Sequence, residues 1–202
     1  MATQIMIKNV MLGFPALAEP QSLGDGEPAY GVKLPISPGS ENEKIIEAAI
    51  MAEAEAQWKD RAASVLSMLR EDGKLCYTKK VYRSKSSGEA YDGFDNHYYL
   101  STRNAKTQPT VFTEYGEQLT SKSDIEKQAY SGAIAKGVSL EVWAQDNKWG
   151  KRINCTLRGV MLSGEGERRS GGSAPASADE FAGLAANKPS AEDALGGAAD
   201  YV

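Results

Sequence analysis

The sequence predicts a mainly β fold, in which a small barrel is interrupted by one long helix and followed by a disordered tail. Short segments with apolar residues at every second position recur through most of the chain, as in half-buried strands. One segment, about residues 40–72, instead repeats apolar residues every three or four positions, as in a helix. After about Gly164 the composition changes to glycine, serine, alanine and proline, with too few large apolar residues for a core.

Two strands are predicted before the helix. Residues 5–14 are rich in β-branched side chains and are followed by Pro15, which predicts a strand that leads into a loop. In the second strand Tyr30, Val32, Leu34 and Ile36 alternate with Gly31, Lys33 and Pro35, so one face is expected to be buried. Proline cannot donate a backbone hydrogen bond, so Pro35 indicates an edge strand or an irregular one.

The long helix has clear start and stop signals. Ser40 is followed three residues later by Glu43, a capping box in which both side chains satisfy free backbone N–H groups. Gly73 can end the helix because glycine readily adopts the left-handed conformation. The buried stripe is expected to contain Ile46, Ile50, Ala54, Trp58, Ala62, Val65 and Leu69.

After the helix the apolar period returns to two. Strands are predicted near residues 75–83, 97–102 and 110–113, and a short helix is predicted over residues 123–130. The clearest β element is a final hairpin, in which residues 138–144 and 153–161 alternate around a polar turn at 146–150.

The charge is unevenly distributed between a predicted domain of residues 1–165 and a predicted disordered tail of residues 166–202. The chain has 27 acidic and 23 basic residues. Five acids and one base lie after residue 170, which leaves 22 residues of each sign before it. Residues 74–106 contain seven bases and three acids. The acidic average therefore does not exclude a local phosphate-binding surface.

Aromatic residues are interleaved with these bases, and residues 77–115 contain eight of the 16 aromatic side chains. This combination is typical of proteins that bind single-stranded nucleic acid, because cations neutralise phosphates while rings stack on bases without reading their sequence. We expect phosphate contacts from Lys79, Lys80, Arg83, Lys85, Arg103 and Lys106, and base stacking by Tyr77, Tyr82 and Tyr99. Aromatic residues also suit sheets and cores, so each ring has a structural alternative.

Trp143 is a candidate for a second stacking platform. Strand parity places it on the face opposite Leu140 and Val142, and Arg152 of the returning strand shares that outward face. The alternative is that a loop or the tail covers the ring.

No catalytic residue, cofactor or metal site is predicted. The single histidine, His97, has no evident nucleophile beside it, and glycine-rich phosphate-binding loops are missing from the sequence. Cys76 and Cys155 are expected to be reduced core thiols. A metal-dependent nuclease that uses carboxylates between Glu89 and Asp95 is a further alternative. The sequence shows no signal peptide and no membrane-spanning run, so we expect a cytoplasmic protein.

The acidic tail has several candidate roles. Its residues Asp193, Asp200, Tyr201 and Val202 are expected either to bind a partner protein or to occupy a basic groove, because tethering keeps them at high local concentration. The alternative is a tail that only increases solubility.

Several short motifs follow one another in a characteristic order. They are Phe14-Pro15-Ala16-Leu17 with Glu19-Pro20, Tyr30-Gly31-Val32-Lys33-Leu34-Pro35, Asp92-Gly93 followed by Tyr98-Tyr99-Leu100-Ser101-Thr102, Gln108-Pro109-Thr110-Val111, and Tyr130-Ser131-Gly132-Ala133. Over about residues 4–165 this order resembles bacteriophage single-stranded DNA-binding proteins of the OB-fold type.

The resemblance implies a five-stranded OB-fold-like barrel with an inserted helix and with DNA in the barrel groove. It also implies a role in phage DNA replication, recombination or repair in the host cytoplasm, with replication partners recruited by an acidic C-terminal tail. Here alanine and glycine dilute the last acidic residues, which departs from that pattern. A barrel that assembles with other proteins and binds no DNA is the main alternative. The sequence leaves self-association and the choice between DNA and RNA open.

Overall fold

The computed structural model describes residues 2–22 and 26–169, and β strands predominate in these ranges. The strands of the described ranges are β1 (Thr3–Met11), β2 (Gly13–Gln21), β3 (Ala29–Ile36), β4 (Tyr77–Thr78), β5 (Tyr98–Ser101), β6 (Thr110–Phe112), β7 (Gln118–Leu119), β8 (Ala133–Asn147) and β9 (Gly150–Gly166). The helices are α1 (Glu41–Trp58), α2 (Ala62–Glu71) and α3 (Lys122–Gln128).

The strands form two sheets. The first has the order β1-β8-β9-β6-β7, and the second has the order β2-β3-β5-β4. Backbone hydrogen bonds join them where the Cys76 N–H donates to the Ile153 carbonyl (2.9 Å) and the Arg103 N–H donates to the Cys155 carbonyl (2.9 Å). The predicted mainly β fold with a long helix is confirmed, although the two sheets are not closed into a barrel by continuous ladders.

The first strand continues further than the sequence predicted. After Leu12 the chain forms β2 where a loop was expected, because β2 lies at a sheet edge and tolerates Pro15 and Pro20 there. Its pairing with β3 has two register shifts. β3 lies inside the sheet, with β2 on one side and β5 on the other. The pairing between β2 and β3 ends at Gly13 and Lys33. Pro35 lies beyond that pair, so the N–H that proline lacks removes no hydrogen bond to β2.

The predicted helix is divided in two. Ser40 caps α1 by accepting the Glu43 N–H (3.3 Å), and the Glu43 carboxylate accepts the Gly39 N–H (2.6 Å), which confirms the capping pattern. A 3-10 turn at Lys59–Arg61, in which Lys59 has a φ of 51°, separates α1 from α2. The turn lies next to Trp58, whose Nε1 donates to Asp146 at the tip of the β8–β9 hairpin (2.8 Å).

Helix α1 lies along the open edge of β1. Asn42 accepts the backbone N–H of Lys8 (3.1 Å) and donates to its carbonyl (2.8 Å), so a side chain takes the place of a neighbouring strand. Thr3 donates to the buried Glu53 (2.6 Å) at the other end. Helices and sheets share one core, which contains Ile7, Leu34, Ile50, Leu100, Leu140 and Leu157.

The described part of the chain continues slightly past the predicted domain boundary. β9 ends at Gly166, and the Arg169 N–H donates to the Ser131 carbonyl (2.7 Å). Residues 170–202, and with them the predicted tail residues Asp193, Asp200, Tyr201 and Val202, lie outside the described residues. Within the described ranges, no helix is long and apolar enough to cross a membrane.

Candidate nucleic-acid interface

Five aromatic side chains from distant parts of the sequence meet on the outer side of the second sheet. We call Phe14, Tyr82, Tyr91, Phe94 and Tyr99 the aromatic cluster. The Tyr82 ring is stacked on Tyr91 with centroids 4.9 Å apart and lies 4.9 Å from the Tyr99 ring. Phe14 contacts Tyr91 edge-on at 4.8 Å. Phe94 is 1% exposed and anchors the cluster in the protein, whereas the other four rings are partly accessible.

Local backbone geometry brings these rings together. A short hairpin contains the Arg83–Ala90 bridge, and the Tyr91 N–H donates to the Tyr82 carbonyl (3.1 Å), so these two tyrosines come from facing arms. Phe14 has a φ of 50°, which is rare for a non-glycine residue. Gly13 is required beside it, because a Cβ there would lie 2.5 Å from the Phe94 ring.

Lys33 supplies a cation within the aromatic cluster. Its ammonium lies 4.6 Å from the Tyr82 ring centroid and 5.3 Å from that of Tyr99, within cation–π range. It also donates to Ser101 (2.9 Å). Burial lowers the pKa of Lys33, because desolvation disfavours its charged form. Because the Lys33 ammonium has lost part of its hydration, a phosphate bound beside it would stabilise the charged form.

The aromatic cluster borders a groove of about 440 Å³, which we call the tyrosine groove. Phe14, Tyr82, Tyr91, Lys33 and Arg103 line this groove. Its floor includes Gly31, where a Cβ would lie 2.4 Å from the carbonyl oxygen of Thr102. The missing side chain therefore keeps both the backbone contact and the depth of the groove.

A second groove, of about 670 Å³, lies along β8 and β9 and is called here the tryptophan groove. Trp143 lines it together with Lys106 and Arg152, and the Trp143 indole donates to Thr156 (3.0 Å). The two grooves share Glu27, Ser101, Thr102 and Arg103 in their walls, so they adjoin one another, and we call the two grooves together the path. Arg103 is held at the junction by donating to the Glu27 carbonyl (2.8 Å).

Two predicted contact residues lie elsewhere. Tyr77 is 2% exposed, so its ring is not accessible for stacking, and its hydroxyl donates to Glu43 of α1 (3.0 Å). Burial, with that hydrogen bond, raises the pKa of Tyr77. Lys79 forms ion pairs with Glu43 (3.4 Å) and Glu47 (3.1 Å), so its charge is already neutralised. Tyr77 and Lys79 therefore both contact carboxylates of α1.

The remaining predicted residues lie on or near the path. Tyr82 and Tyr99 belong to the aromatic cluster, while Trp143, Arg103, Lys106 and Arg152 line the tryptophan groove. Lys80, Arg83 and Lys85 are exposed beside the hairpin that follows Tyr82, and Arg83 donates to the Gly88 carbonyl (3.1 Å). None of these three forms an ion pair with another described residue.

The prediction missed Phe14, Lys33 and Tyr91. Lys33 could have been found from strand parity, because it alternates with the buried Val32 and Leu34. Tyr91 lies in the basic and aromatic segment and had no separate signal. The role of Phe14 depends on the bend between β1 and β2, which the sequence did not reveal.

Several of the groups considered for chemistry make structural contacts. The Nδ1 atom of His97 lies 2.6 Å from the Asp95 carbonyl. Asp92 pairs with Arg169, and the described residues contain no group of three acidic, histidine or cysteine side chains placed to hold a metal ion. Cys76 and Cys155 are free and buried, and their mutual hydrogen bond, with burial, raises the pKa of Cys155.

Residues 3–195 match the protein family described as Enterobacter phage Enc34, ssDNA-binding protein. A search of curated protein sequences finds no match.

Two similar solved structures come from different phages. The single-stranded DNA-binding protein from bacteriophage Enc34 in complex with ssDNA has a TM-score of 0.64 and 24% identity, covering 84% of this chain and 89% of that chain. The single-stranded DNA-binding protein gp2.5 of bacteriophage T7 has a TM-score of 0.50 and 12% identity, covering 94% and 98%. At these identities the likeness shows a shared fold.

Proposed function

This chain belongs to the family of the Enterobacter phage Enc34 ssDNA-binding protein, and we propose that it binds single-stranded DNA without sequence preference. The membership agrees with the resemblance carried by the sequence motifs. The observation that carries the proposal is that the aromatic cluster and Trp143 border two adjoining grooves. The cations that line these grooves, Lys33, Arg103, Lys106 and Arg152, form no ion pair with another described residue.

The path offers two kinds of contact. Tyr82, Tyr91 and Tyr99 present aromatic surface on which bases stack, each stack being worth about 1–3 kcal/mol. Lys33, together with Arg103 at the junction, lies where the sugar–phosphate backbone would pass. Stacking accepts every base because every base has an aromatic face, so we expect affinity with little sequence preference.

Trp143 extends this arrangement into the tryptophan groove. Its hydrogen bond to Thr156 fixes the indole, so stacking there costs little side-chain entropy. Lys106 and Arg152 flank the ring and would neutralise the phosphates of the next nucleotides. Lys80, Arg83 and Lys85 would attract the strand from the other end of the path.

The proposal includes a binding role without catalysis, in phage DNA replication, recombination or repair in the host cytoplasm. Recruitment of other replication or recombination proteins by Asp193, Asp200, Tyr201 and Val202 remains part of it. The competing interpretations are a protein-assembly module, which would not bind DNA, and a nuclease, which would cleave the strand when Mg²⁺ is added.

The test is a fluorescence-anisotropy titration of a labelled dT oligonucleotide at two salt concentrations, with duplex DNA of equal length as competitor. We expect affinity that falls with salt, with a slope near −0.7 per neutralised phosphate, and weak competition by the duplex. The same oligonucleotide, incubated with Mg²⁺ and run on a denaturing gel, should remain intact. The absence of binding at low salt would favour the assembly module, and cleavage would favour the nuclease.

A further inference from the structure

The outer face of the first sheet carries a depression that the proposed path does not include. It has a volume of about 670 Å³. Its apolar wall contains Met6, Phe112 and Met161, and its rim carries Lys8, Lys136 and Arg158. We call these six residues the methionine face. Met6 is 49% exposed, and together with Phe112 and Met161 it gives this depression apolar surface.

Two glycines form the floor of the methionine face. A Cβ on Gly137 would meet only the Met6 sulfur, at 3.2 Å, whereas a Cβ on Gly159 would lie 2.6 Å from the Thr110 hydroxyl. Because both positions lack side chains, β8 and β9 present bare backbone between the flanking side chains. The result is an open trough with flexible thioethers and an aromatic ring along its sides.

Lys8, Lys136 and Arg158 are exposed, and none forms an ion pair with another residue of the described ranges. Three uncompensated positive charges around an apolar trough favour an occupant that carries regularly spaced negative charge and flat apolar groups. Single-stranded nucleic acid has both properties.

The methionine face and the tryptophan groove lie along the same two strands, β8 and β9. Ser139, which lines the trough, and Trp143 point outward from the same strand, four residues or about 13 Å apart. On β9 the outward residues run from Arg152 past Thr156 to Arg158. Glu141 is the acidic residue between the two depressions, so phosphates would pass on the β9 side, where the arginines lie.

We infer that a long single strand leaves the tryptophan groove along β9 and continues onto the methionine face. Phosphates contact Lys8, Lys136 and Arg158 there, while a base packs against Phe112 and the methionine side chains. The inference rests on the proposed function, since it lengthens the same binding path. It predicts that oligonucleotides long enough to reach the trough gain affinity that shorter ones lack.

The experiment measures affinity and salt slope for dT oligonucleotides of increasing length, from about 4 to about 20 nucleotides, a range that exceeds the usual site of one such domain. The variant Lys8→Ala/Lys136→Ala/Arg158→Ala should bind short oligonucleotides like the wild type. With long ones its salt slope should be smaller by about 2, or 0.7 for each lost phosphate contact. A matched control, Lys44→Ala/Lys122→Ala/Lys127→Ala, removes the same charge from α1 and α3 and should retain the full slope.

A second variant tests the apolar part of the trough. Phe112→Leu keeps an apolar side chain but removes the ring, and should weaken binding of long oligonucleotides by about fivefold or more. Unchanged binding of long oligonucleotides by both variants would overturn the inference, as would an equal loss for short and long ones. Loss of self-association with DNA binding retained would overturn it too, because the face would then belong to a protein contact. If the wild type binds no oligonucleotide of any length, the proposed function itself fails.

Discussion

The two ends of the basic and aromatic segment, residues 77–115, make different contacts, although their compositions are alike. At the start of the segment, Tyr77 and Lys79 turn toward α1 and bind Glu43 and Glu47. Further along, Tyr82 and Tyr99 turn outward and form the aromatic cluster around Lys33. A tyrosine near a lysine is therefore not by itself evidence of a nucleic-acid site.

The difference between the ends lies in what each faces. The inserted helix brings carboxylates to the first end, so its cation is neutralised and its ring is covered. The second end faces a groove with a glycine floor and a partly desolvated lysine, where charge and aromatic surface remain available to a ligand. Four predictions test this division, beginning with the largest expected effect.

Removal of a ring should weaken DNA binding only at the outward end. Tyr82→Ala should lower the affinity for single-stranded dT by roughly 10- to 100-fold, because a stacked base loses its platform. Tyr77→Leu, which also removes a ring, should leave the affinity unchanged, because the Tyr77 ring is buried. Anisotropy titrations compare the two variants, and thermal melts confirm that both are folded. An equal loss in both would remove the distinction between the ends.

Tyr77, at the end of the segment that faces α1, should contribute to the free energy of unfolding rather than to DNA affinity. Tyr77→Phe removes a partly buried hydrogen bond to a carboxylate and should reduce the free energy of unfolding by about 1.5 kcal/mol. Tyr99→Phe is a suitable control, because the Tyr99 hydroxyl forms no hydrogen bond with another described residue, unlike the Tyr77 and Tyr130 hydroxyls. Urea denaturation measures both. A larger destabilisation by the control would contradict the account.

Cations at the two ends should differ in salt dependence. Arg103→Gln should reduce the slope of log affinity against log salt by about 0.7, the value for one phosphate on a single strand. Lys79→Gln should leave the slope unchanged, because Glu43 and Glu47 already neutralise that lysine. Titrations at four or more salt concentrations supply the slopes. A change for Lys79→Gln that equals the change for Arg103→Gln would show that both cations contact the strand.

The smallest predicted effect concerns pH. Burial lowers the pKa of Lys33, whereas a bound phosphate would raise it again, so DNA binding favours protonated Lys33. Affinity should therefore decline as the pH rises through the lowered pKa, below the range in which other lysines lose their charge. Lys33→Arg stays charged and should shift this decline to higher pH. Identical pH profiles for the wild type and Lys33→Arg would exclude Lys33 from the contact.

Much of the fold could be predicted from the sequence, because its signals are local. Ser40 and Glu43 marked the start of the long helix, and alternating residues marked the β8–β9 hairpin. The division of the helix at Lys59–Arg61 had no such signal. The strand after Leu12 was missed because proline, which normally argues against a strand, is tolerated at a sheet edge.

The site was harder to predict than the fold, since whether a residue belongs to the site depends on contacts between residues that are distant in the sequence. Tyr82, Tyr99 and Trp143 were predicted from composition and strand parity, and they lie in the aromatic cluster or line the tryptophan groove. Phe14 joins the cluster through a bend that is 68 residues away from Tyr82 in the sequence. Tyr77 was predicted to stack on bases but is buried against Glu43, and nothing in its own segment indicates that Glu43 will lie there.

The most direct test is photochemical cross-linking of a 5-iodouracil-containing single strand, followed by mass spectrometry of the cross-linked peptides. The iodouracil reacts with aromatic side chains in stacking contact. The account predicts cross-links to Tyr82, Tyr91, Tyr99 or Trp143. Tyr115 is 82% exposed and lies outside the proposed path, so it serves as an internal control for accessibility alone. Cross-links to Tyr115 alone would contradict the proposed site. So would a set of cross-links that includes neither a residue of the aromatic cluster nor Trp143.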